Sequence, residues 1–441
     1  MTDTGRVLLI SHNHPKVRPG GAEAYAYELH LALRDSREWD SIFLARSGPP
    51  QSRSARPHAE TRFATVDGAD DEYFVYPDGY DFDWLNGTMR LDKRFYTEDL
   101  REFLLAVRPD VVHFQHTLFL GYDTIREVRR TLPGVPIVYT LHEFLPICHH
   151  KGQMVRTMDH SLCDHQSPRR CHECFPDTSP QSFFLRRRFI QAQLGLVDLF
   201  IAPSAVLLER FVEWGIPRER ILLEDYGRRG GPPPEVEREP PHATLGFFGQ
   251  LNPYKGIDVL LAALELLRER GGGPGDETIE PAVHPHLRLH GANLDLQEHG
   301  FRDRVRALID QAGDDVTQVG AYAPERVGEL MAAVDWVVLP SIWWENSPLV
   351  IQEAFANRRP VICSDIGGMA EKVSDGVDGL HFRVGDPESL AETIERAVRE
   401  AGLWERLQAG IGPVHRMDDH VRVLGQAYRR LIEGVGAPLP V

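Results

Sequence analysis

Two glutamates eight positions apart, Glu345 and Glu353, straddle a strand-to-helix junction in the segment PSIWWENSPLVIQE, residues 340–353. Ahead of them AVDWVVL is a short valine-rich run of the kind a buried parallel strand carries. Behind them Ser347 suits an N-cap and Pro348 the first helical turn, so a helix is expected to start there. Its free amides, with Leu349 and Val350 among them and Asn346 and Ser347 in the turn before, would face the crevice at the strand's carboxyl end. That is where open α/β sheets bind ligands and where a helix N-terminus attracts phosphate. Glu353 lies about a turn and a half into the helix. One carboxylate can then meet a sugar's hydroxyls while the other grips a ribose.

A second constellation is made of thiols. Cys148, Cys163, Cys171 and Cys174 are spaced C-x14-C-x7-C-x2-C. In a reducing compartment this favours a metal site over disulfides, and thiolates favour tetrahedral zinc, with iron as the alternative. His149, His150, His160, His165 and His172 crowd the same segment and could replace one thiol. A structural metal would rigidify a loop that lacks regular patterning. Cys363, inside an apolar strand, reads as inert core.

The glutamate pair resembles the E-x7-E motif of the family-four retaining glycosyltransferases, and the likeness runs along nearly the whole chain. RVLLISHNHPKVRPGGAEAYAYELHLAL is similar to the family's first strand, glycine loop and helix, and LGFFGQLNPYKGIDVLLAAL to its strand-Gly-Arg-Leu…Lys-Gly pattern. EAFANRRPVICSDIGG follows the second glutamate. The resemblance implies the GT-B fold, two doubly wound Rossmann-like domains facing a central cleft. It also implies a nucleoside-diphosphate leaving group held by side-chain cations and helix dipoles, with no catalytic metal.

Residue by residue, Lys255 matches the family's phosphate lysine. Its usual arginine partner is replaced by Gln250, which donates hydrogen bonds without charge and leaves Arg18 or another cation to compensate. His116 matches the histidine beside the transferred sugar, so His116, Glu345 and Lys255 form the expected catalytic group. Gly20 and Gly21 would let backbone approach a phosphate or sugar closely. Glu23 is either a sugar or acceptor contact or simply a first-turn acid stabilised by the dipole. His142 is either a similar contact or a core histidine, and His113 reads as structural. The resemblance further implies reaction on one face of the sugar, the leaving phosphate oxygen taking the acceptor's proton.

The elements that must position these residues alternate as strands and helices in both halves. The expected division is an acceptor-side domain over 1–227 with the cysteine-rich insertion at 148–174, a Pro-rich charged linker over 228–242, and a nucleotide-sugar domain over 243–415. Residues 416–441 are expected to return to the first domain as a helix, and 271–285 to form a surface insertion. A formal charge of −16 argues against a general nucleic-acid or anionic-membrane surface. No apolar run approaches a membrane span, and Met1–Arg6 is polar, so a cytoplasmic protein is expected.

FFLRRRFI, residues 183–190, reads as an amphipathic helix with a solvated arginine face, or as a peripheral contact with a membrane or a lipid-phosphate acceptor. The acidic, aromatic stretch 67–84 is an acceptor loop or an ordinary packed loop. The expected activity is retaining transfer of a sugar from a nucleotide-diphospho-sugar, UDP ahead of GDP, to a hydroxyl acceptor. That acceptor is a saccharide, a lipid-linked sugar or a small metabolite. The alternatives are a non-catalytic, metal-stapled nucleotide-sugar-binding or scaffold protein and a sugar-nucleotide epimerase of the same fold.

Overall fold

Short apolar runs flanked by turn residues form strands throughout the computed structural model, which describes residues 4–17, 20–46, 62–76, 95–229, 238–270 and 284–434. The chain divides into two units, Met1–Arg229 with His415–Val441, and Gly230–Val414.

In the N-terminal unit the strands are β1 (Gly5–Ser11), β2 (Trp39–Arg46), β3 (Phe63–Thr65), β4 (Glu72–Val75), β5 (Val111–Phe114), β6 (Ile137–Thr140), β7 (Leu199–Ala202) and β8 (Ile221–Leu223). They lie in the order β3-β4-β2-β1-β5-β6-β7-β8. The pairings are parallel except that of β3 with β4. β5 and β6 are buried at every position, which is why they read as continuous apolar runs rather than alternating ones. The chain winds outward in both directions from β1 and β5, so their carboxyl ends form a topological switch point.

The C-terminal unit repeats the plan with β9 (Thr244–Gln250), β10 (His286–Ala292), β11 (Val316–Gln318), β12 (Trp336–Leu339), β13 (Val361–Ser364) and β14 (Gly379–Phe382). Their order is β11-β10-β9-β12-β13-β14, all parallel, and the switch lies between β9 and β12. Leu245, Phe247, Trp336 and Val338 pack on one face of this sheet; Phe248, Val337, Leu339 and Cys363 pack on the other. Cys363 is fully buried and burial raises its thiol, consistent with an inert core residue. Both units are α/β domains built on largely parallel sheets.

The helix Met417–Ile432 is tied into the N-terminal unit by buried hydrogen bonds. Tyr428 Oη lies 2.6 Å from His113 Nδ1, and His420 Nε2 lies 2.7 Å from Tyr25 Oη. Arg228, at the start of the expected linker, donates its backbone N–H to His415 O at 3.0 Å. Residues 230–237 of that linker, 271–283 of the expected insertion and 77–84 of the acidic stretch lie outside the described residues. Over 67–76 the acidic stretch builds strand β4, which lies between β3 and β2, rather than a loop.

The arginine-rich segment differs from its expected form. It lies in the helix Pro180–Leu194, where Phe184 and Leu185 are exposed but Arg186 is buried. Arg186 donates to Leu145 O at 2.7 Å and Pro146 O at 3.0 Å, so those carbonyls draw one of the three arginines inside. Among the described residues no helix is long and apolar enough to cross a membrane.

Candidate active site

Strand β12 ends at Leu339, and the loop that follows is lashed to the NPYK turn after β9. Ile342 donates its backbone N–H to Tyr254 O at 2.9 Å. Asn252 caps the turn, its Oδ1 accepting from the amides of Tyr254 and Lys255 at 3.1 and 3.2 Å. Gly256 has a left-handed φ of 65°, and a Cβ there would lie 1.8 Å from Pro340 O. Only glycine allows both the conformation and the approach. A similar contact closes the far side of the loop: Gly368 donates to Glu345 O at 2.7 Å, and a Cβ on Gly368 would lie 1.4 Å from Asn346 O.

This packing brings Lys255 Nζ within 2.5 Å of Glu345 Oε1. The same oxygen accepts from Ser341 Oγ at 2.8 Å and Trp343 Nε1 at 3.0 Å. Lys255 also lies 5.7 Å from the Trp343 ring centroid, a cation–π position. Glu345 is buried and Lys255 half-buried, so the pair forms at the edge of the protein interior.

The helix that follows spans Leu349–Ala356. Its N-cap is Pro348 in extended conformation, not Ser347, so the helix starts one residue later than the Ser-Pro pattern suggests. The amides of Leu349 and Val350 remain at its open end, and Ser347 and Asn346 are buried in the preceding turn. Glu353 is half-buried inside the helix. It acts electrostatically on Tyr322, whose hydroxyl is pushed up first by burial and then by that carboxylate. Gln250 ends β9 on the surface. Arg18 lies outside the described residues.

In the N-terminal unit three adjacent strands deliver histidines from their carboxyl ends: His12 after β1, His116 after β5 and His142 after β6. His12 Nε2 lies 3.0 Å from Glu23 Oε1, and Glu23 stands in the first turn of the helix Gly21–Ser36. Gly20 precedes that helix, and a Cβ on it would lie 2.4 Å from Glu23 Oε2. The glycine therefore leaves room for the carboxylate, while Gly21 opens the helix. Burial lowers His12, with nearby His116 adding to the effect. Burial alone would raise Glu23, but its hydrogen bond to His12 overrides that and holds it low.

His116 is held at both ring nitrogens. Its Nδ1 accepts from the Leu118 amide at 2.9 Å, which leaves the proton on Nε2 to be donated to Glu143 Oε1 at 2.8 Å. The His12 and His116 rings lie 4.6 Å apart. His142 Nε2 lies 3.1 Å from Gln115 Oε1 and its Nδ1 2.7 Å from Tyr226 Oη, and burial lowers it well below the usual histidine range. His113 is fully buried against Tyr428 and Thr140, and burial drives it down to about 3. The structure thus gathers His116, Glu23 and His142 and adds His12, Glu143 and Gln115, which sequence reasoning passed over. The available signal was position: His12 follows VLLIS just as His116 ends VVHFQH.

The cysteines sit on a separate knuckle. Cys171 and Cys174 belong to the helix Pro168–Cys174, and Cys163 follows the antiparallel bridge of Val155 with Leu162. All four are free thiols, with Cys148 raised to about 11 and Cys171 to about 12, chiefly by burial. Among the described residues, the groups of three potential ligands lying within 4.8 Å of one another are Glu224–His415–His420 and His30–Asp71–Glu72. Neither contains a cysteine.

Residues 19–223 match the family model described as Glycosyltransferase Family 4, and residues 242–400 the model described as Glycosyl transferases group 1. The D-inositol 3-phosphate glycosyltransferase of Stackebrandtia nassauensis is 31% identical over 199 residues, covering 42% of this chain and 42% of that protein. The protein of that name from a Nocardioides species is 27% identical over 319 residues, covering 68% and 62%. The matches therefore span less than two thirds of these relatives. Among solved structures, sucrose-phosphate synthase from Thermosynechococcus elongatus aligns with a TM-score of 0.69 at 18% identity, over 98% of this chain and 100% of that one. Anabaena HepE in complex with UDP-glucose aligns at 0.60 and 16% identity, over 96% and 99%.

Proposed function

The chain belongs to the family-four glycosyltransferases, and from that premise we propose that it transfers a sugar from a UDP-sugar to a hydroxyl acceptor with retention of anomeric configuration. The observation that carries the reading is the Lys255–Glu345 pair at 2.5 Å, set before the open amides of the helix Leu349–Ala356. As the donor's glycosidic bond breaks, negative charge gathers on the diphosphate, and Lys255 with the helix dipole stabilises that charge more than the ground state. Gln250 supplies hydrogen bonds without a second cation. Glu345 meets the sugar hydroxyls and Glu353 the ribose. In the acceptor-side unit His116, held in one orientation by Leu118 and Glu143, contacts the transferred sugar. The acceptor's proton passes to the leaving phosphate oxygen on the same face of the sugar.

The HepE complex with UDP-glucose, a protein of the same fold, supports UDP-glucose as the first donor to try. A structural zinc or iron at Cys148, Cys163, Cys171 and Cys174 is part of this proposal, while the transfer step draws on no metal. The test is thermal shift with UDP-, GDP- and ADP-sugars, followed by transfer to inositol phosphate and saccharide acceptors with NMR of the product anomer. A native-state ligand raises the melting temperature by mass action. Absence of sugar transfer from every donor, or an inverted anomeric centre, overturns the reading.

A further inference from the structure

Beneath the helix Gly21–Ser36, where β4 begins beside β2, lies a set of polar side chains that the transfer reaction does not use. His30 projects from the helix and is completely buried. Its Nδ1 lies 2.9 Å from Ser41 Oγ on β2. Its Nε2 makes no hydrogen bond and faces Asp71 Oδ2 at 3.7 Å, beyond hydrogen-bonding distance. Glu72 is buried next to it, in register with Phe43 of β2. Tyr27 Oη donates to Glu72 Oε1 at 3.0 Å, and His14 Nε2 lies 3.2 Å from Glu72 Oε2. His14 Nδ1 accepts from the Lys16 amide at 3.2 Å, so the proton on His14 sits at Nε2 and points to Glu72.

A buried ring nitrogen beside two carboxylates, with no donor or acceptor of its own, is the pattern left when a cation is the missing partner. We propose that His30 Nε2 and the carboxylates of Asp71 and Glu72 bind one divalent transition-metal cation, Zn²⁺ or Mn²⁺. The three ligand atoms lie within 4.8 Å of one another. Bonds of about 2.0–2.2 Å in a tetrahedron place ligand atoms about 3.3–3.6 Å apart, so small side-chain rotations close the site. One imidazole suits zinc and two carboxylates suit manganese, which sets the class of ion.

The surrounding contacts are those of an outer shell. Ser41 accepts the Nδ1 proton of His30 and frees Nε2 for the metal, while Tyr27 and His14 orient Glu72. Arg34 Nη1 holds Asp71 Oδ2 at 3.2 Å, so the ion shares that carboxylate with Arg34. The role is structural. The ion staples the start of β4 to the first helix, and it stabilises the native state because the unfolded chain has no such site.

The experiment uses the full-length protein, stripped with a chelator and then equilibrated with ZnCl₂ or MnCl₂. Bound metal is read by elemental analysis and stability by thermal midpoint. Wild type is expected to hold about one equivalent more than Asp71→Asn or His30→Gln, and its midpoint to rise with metal where theirs does not. Cys171→Ser with Cys174→Ser is expected to keep that equivalent. Equal binding in wild type and both site variants overturns the proposal, as does metal lost solely with the cysteines. Should the site variants fail to fold, stripped wild type decides alone: no saturable binding of either ion also overturns it.

Discussion

The C-terminal unit holds its polar site by backbone packing, and the N-terminal unit holds its own by hydrogen bonds to buried histidines. Around Lys255 and Glu345 the turns touch so closely that Gly256 and Gly368 could not carry a Cβ without displacing Pro340 or Asn346. The result is one direct ion pair with little freedom to move. At the ends of β1, β5 and β6 the positions are instead set by imidazoles, His12 on Glu23 and His116 on Glu143. The first arrangement suits a fixed charge facing a departing diphosphate. In the second, burial lowers His12 and His142, so these imidazoles position their partners by hydrogen bonds rather than by charge. One site rests on a cation–carboxylate pair, the other on hydrogen bonds from imidazoles.

The sharpest way to break this contrast is Lys255→Ala. It removes the fixed cation, and sugar transfer is expected to fall by ~10²-fold or more, as for other lost groups that stabilise developing charge. Glu345 would then be buried without a counter-charge, so stability falls as well. Adding Glu345→Gln is expected to recover the stability but not the turnover. Transfer rates within a few-fold of wild type in Lys255→Ala would show that the charge is not needed.

Glu353→Ala tests the same unit at its binding end. Losing a charge-assisted contact to the ribose is expected to weaken free UDP by about 1.5–3 kcal/mol, measured by calorimetry. Glu345→Ala is expected to leave UDP affinity largely intact while reducing transfer. Unchanged UDP affinity in Glu353→Ala would remove that residue from its assigned role.

Acid sharpens the comparison from the other side. Burial lowers His30 to about 4 and His113 to about 3, and it also lowers His12, His14, His142 and His420, all in the N-terminal unit. In the C-terminal unit burial lowers His290 to about 4. For each of these the unfolded chain takes up a proton near pH 6.5 that the folded chain refuses. Stability is therefore lost as pH falls below 6.5, by about 2 kcal/mol at pH 5 for His30 and the same for His113. His415 works in the opposite sense: Glu224 raises it, so its contribution is present at low pH and lost as pH rises through its folded value. Hydrogen exchange at pH 7 and pH 5 is expected to show the larger loss of protection in the N-terminal unit. Equal losses in the two units would refute the assignment.

What could be read from the chain divides along the same line. Strands such as VVHF, IVYT and LFIA are legible because parallel strands covered on both faces must be apolar throughout. The Lys255–Glu345 neighbourhood is legible because its parts lie in two short runs with their own turn and helix signals. Even there the helix starts after Pro348, itself extended, rather than after Ser347. The pairing of His12 with Glu23 and the approach of His30 to Asp71 and Glu72 depend on strand order and on the helix face turned to the sheet, which no local pattern encodes. Arg186 makes the same point: three consecutive arginines read as solvated, yet the carbonyls of Leu145 and Pro146, 41 and 40 positions away, take one of them inside.

The smallest expected effect is the most discriminating about the N-terminal unit. Glu143→Gln keeps an oxygen that can accept from His116 Nε2 and removes only the charge. Because the Leu118 amide already fixes His116 Nδ1 as an acceptor, the ring keeps its orientation and tautomer. The loss is then the difference between a charge-assisted and a neutral hydrogen bond, about 1 kcal/mol, or a few-fold in transfer rate. Glu143→Ala leaves Nε2 without that acceptor and lets the ring turn, so its cost is expected to be clearly larger. If the charge of Glu143 itself were used in transfer, the two variants would fall together. If orientation is what matters, glutamine stays near wild type while alanine does not, and steady-state kinetics of the pair separates the two.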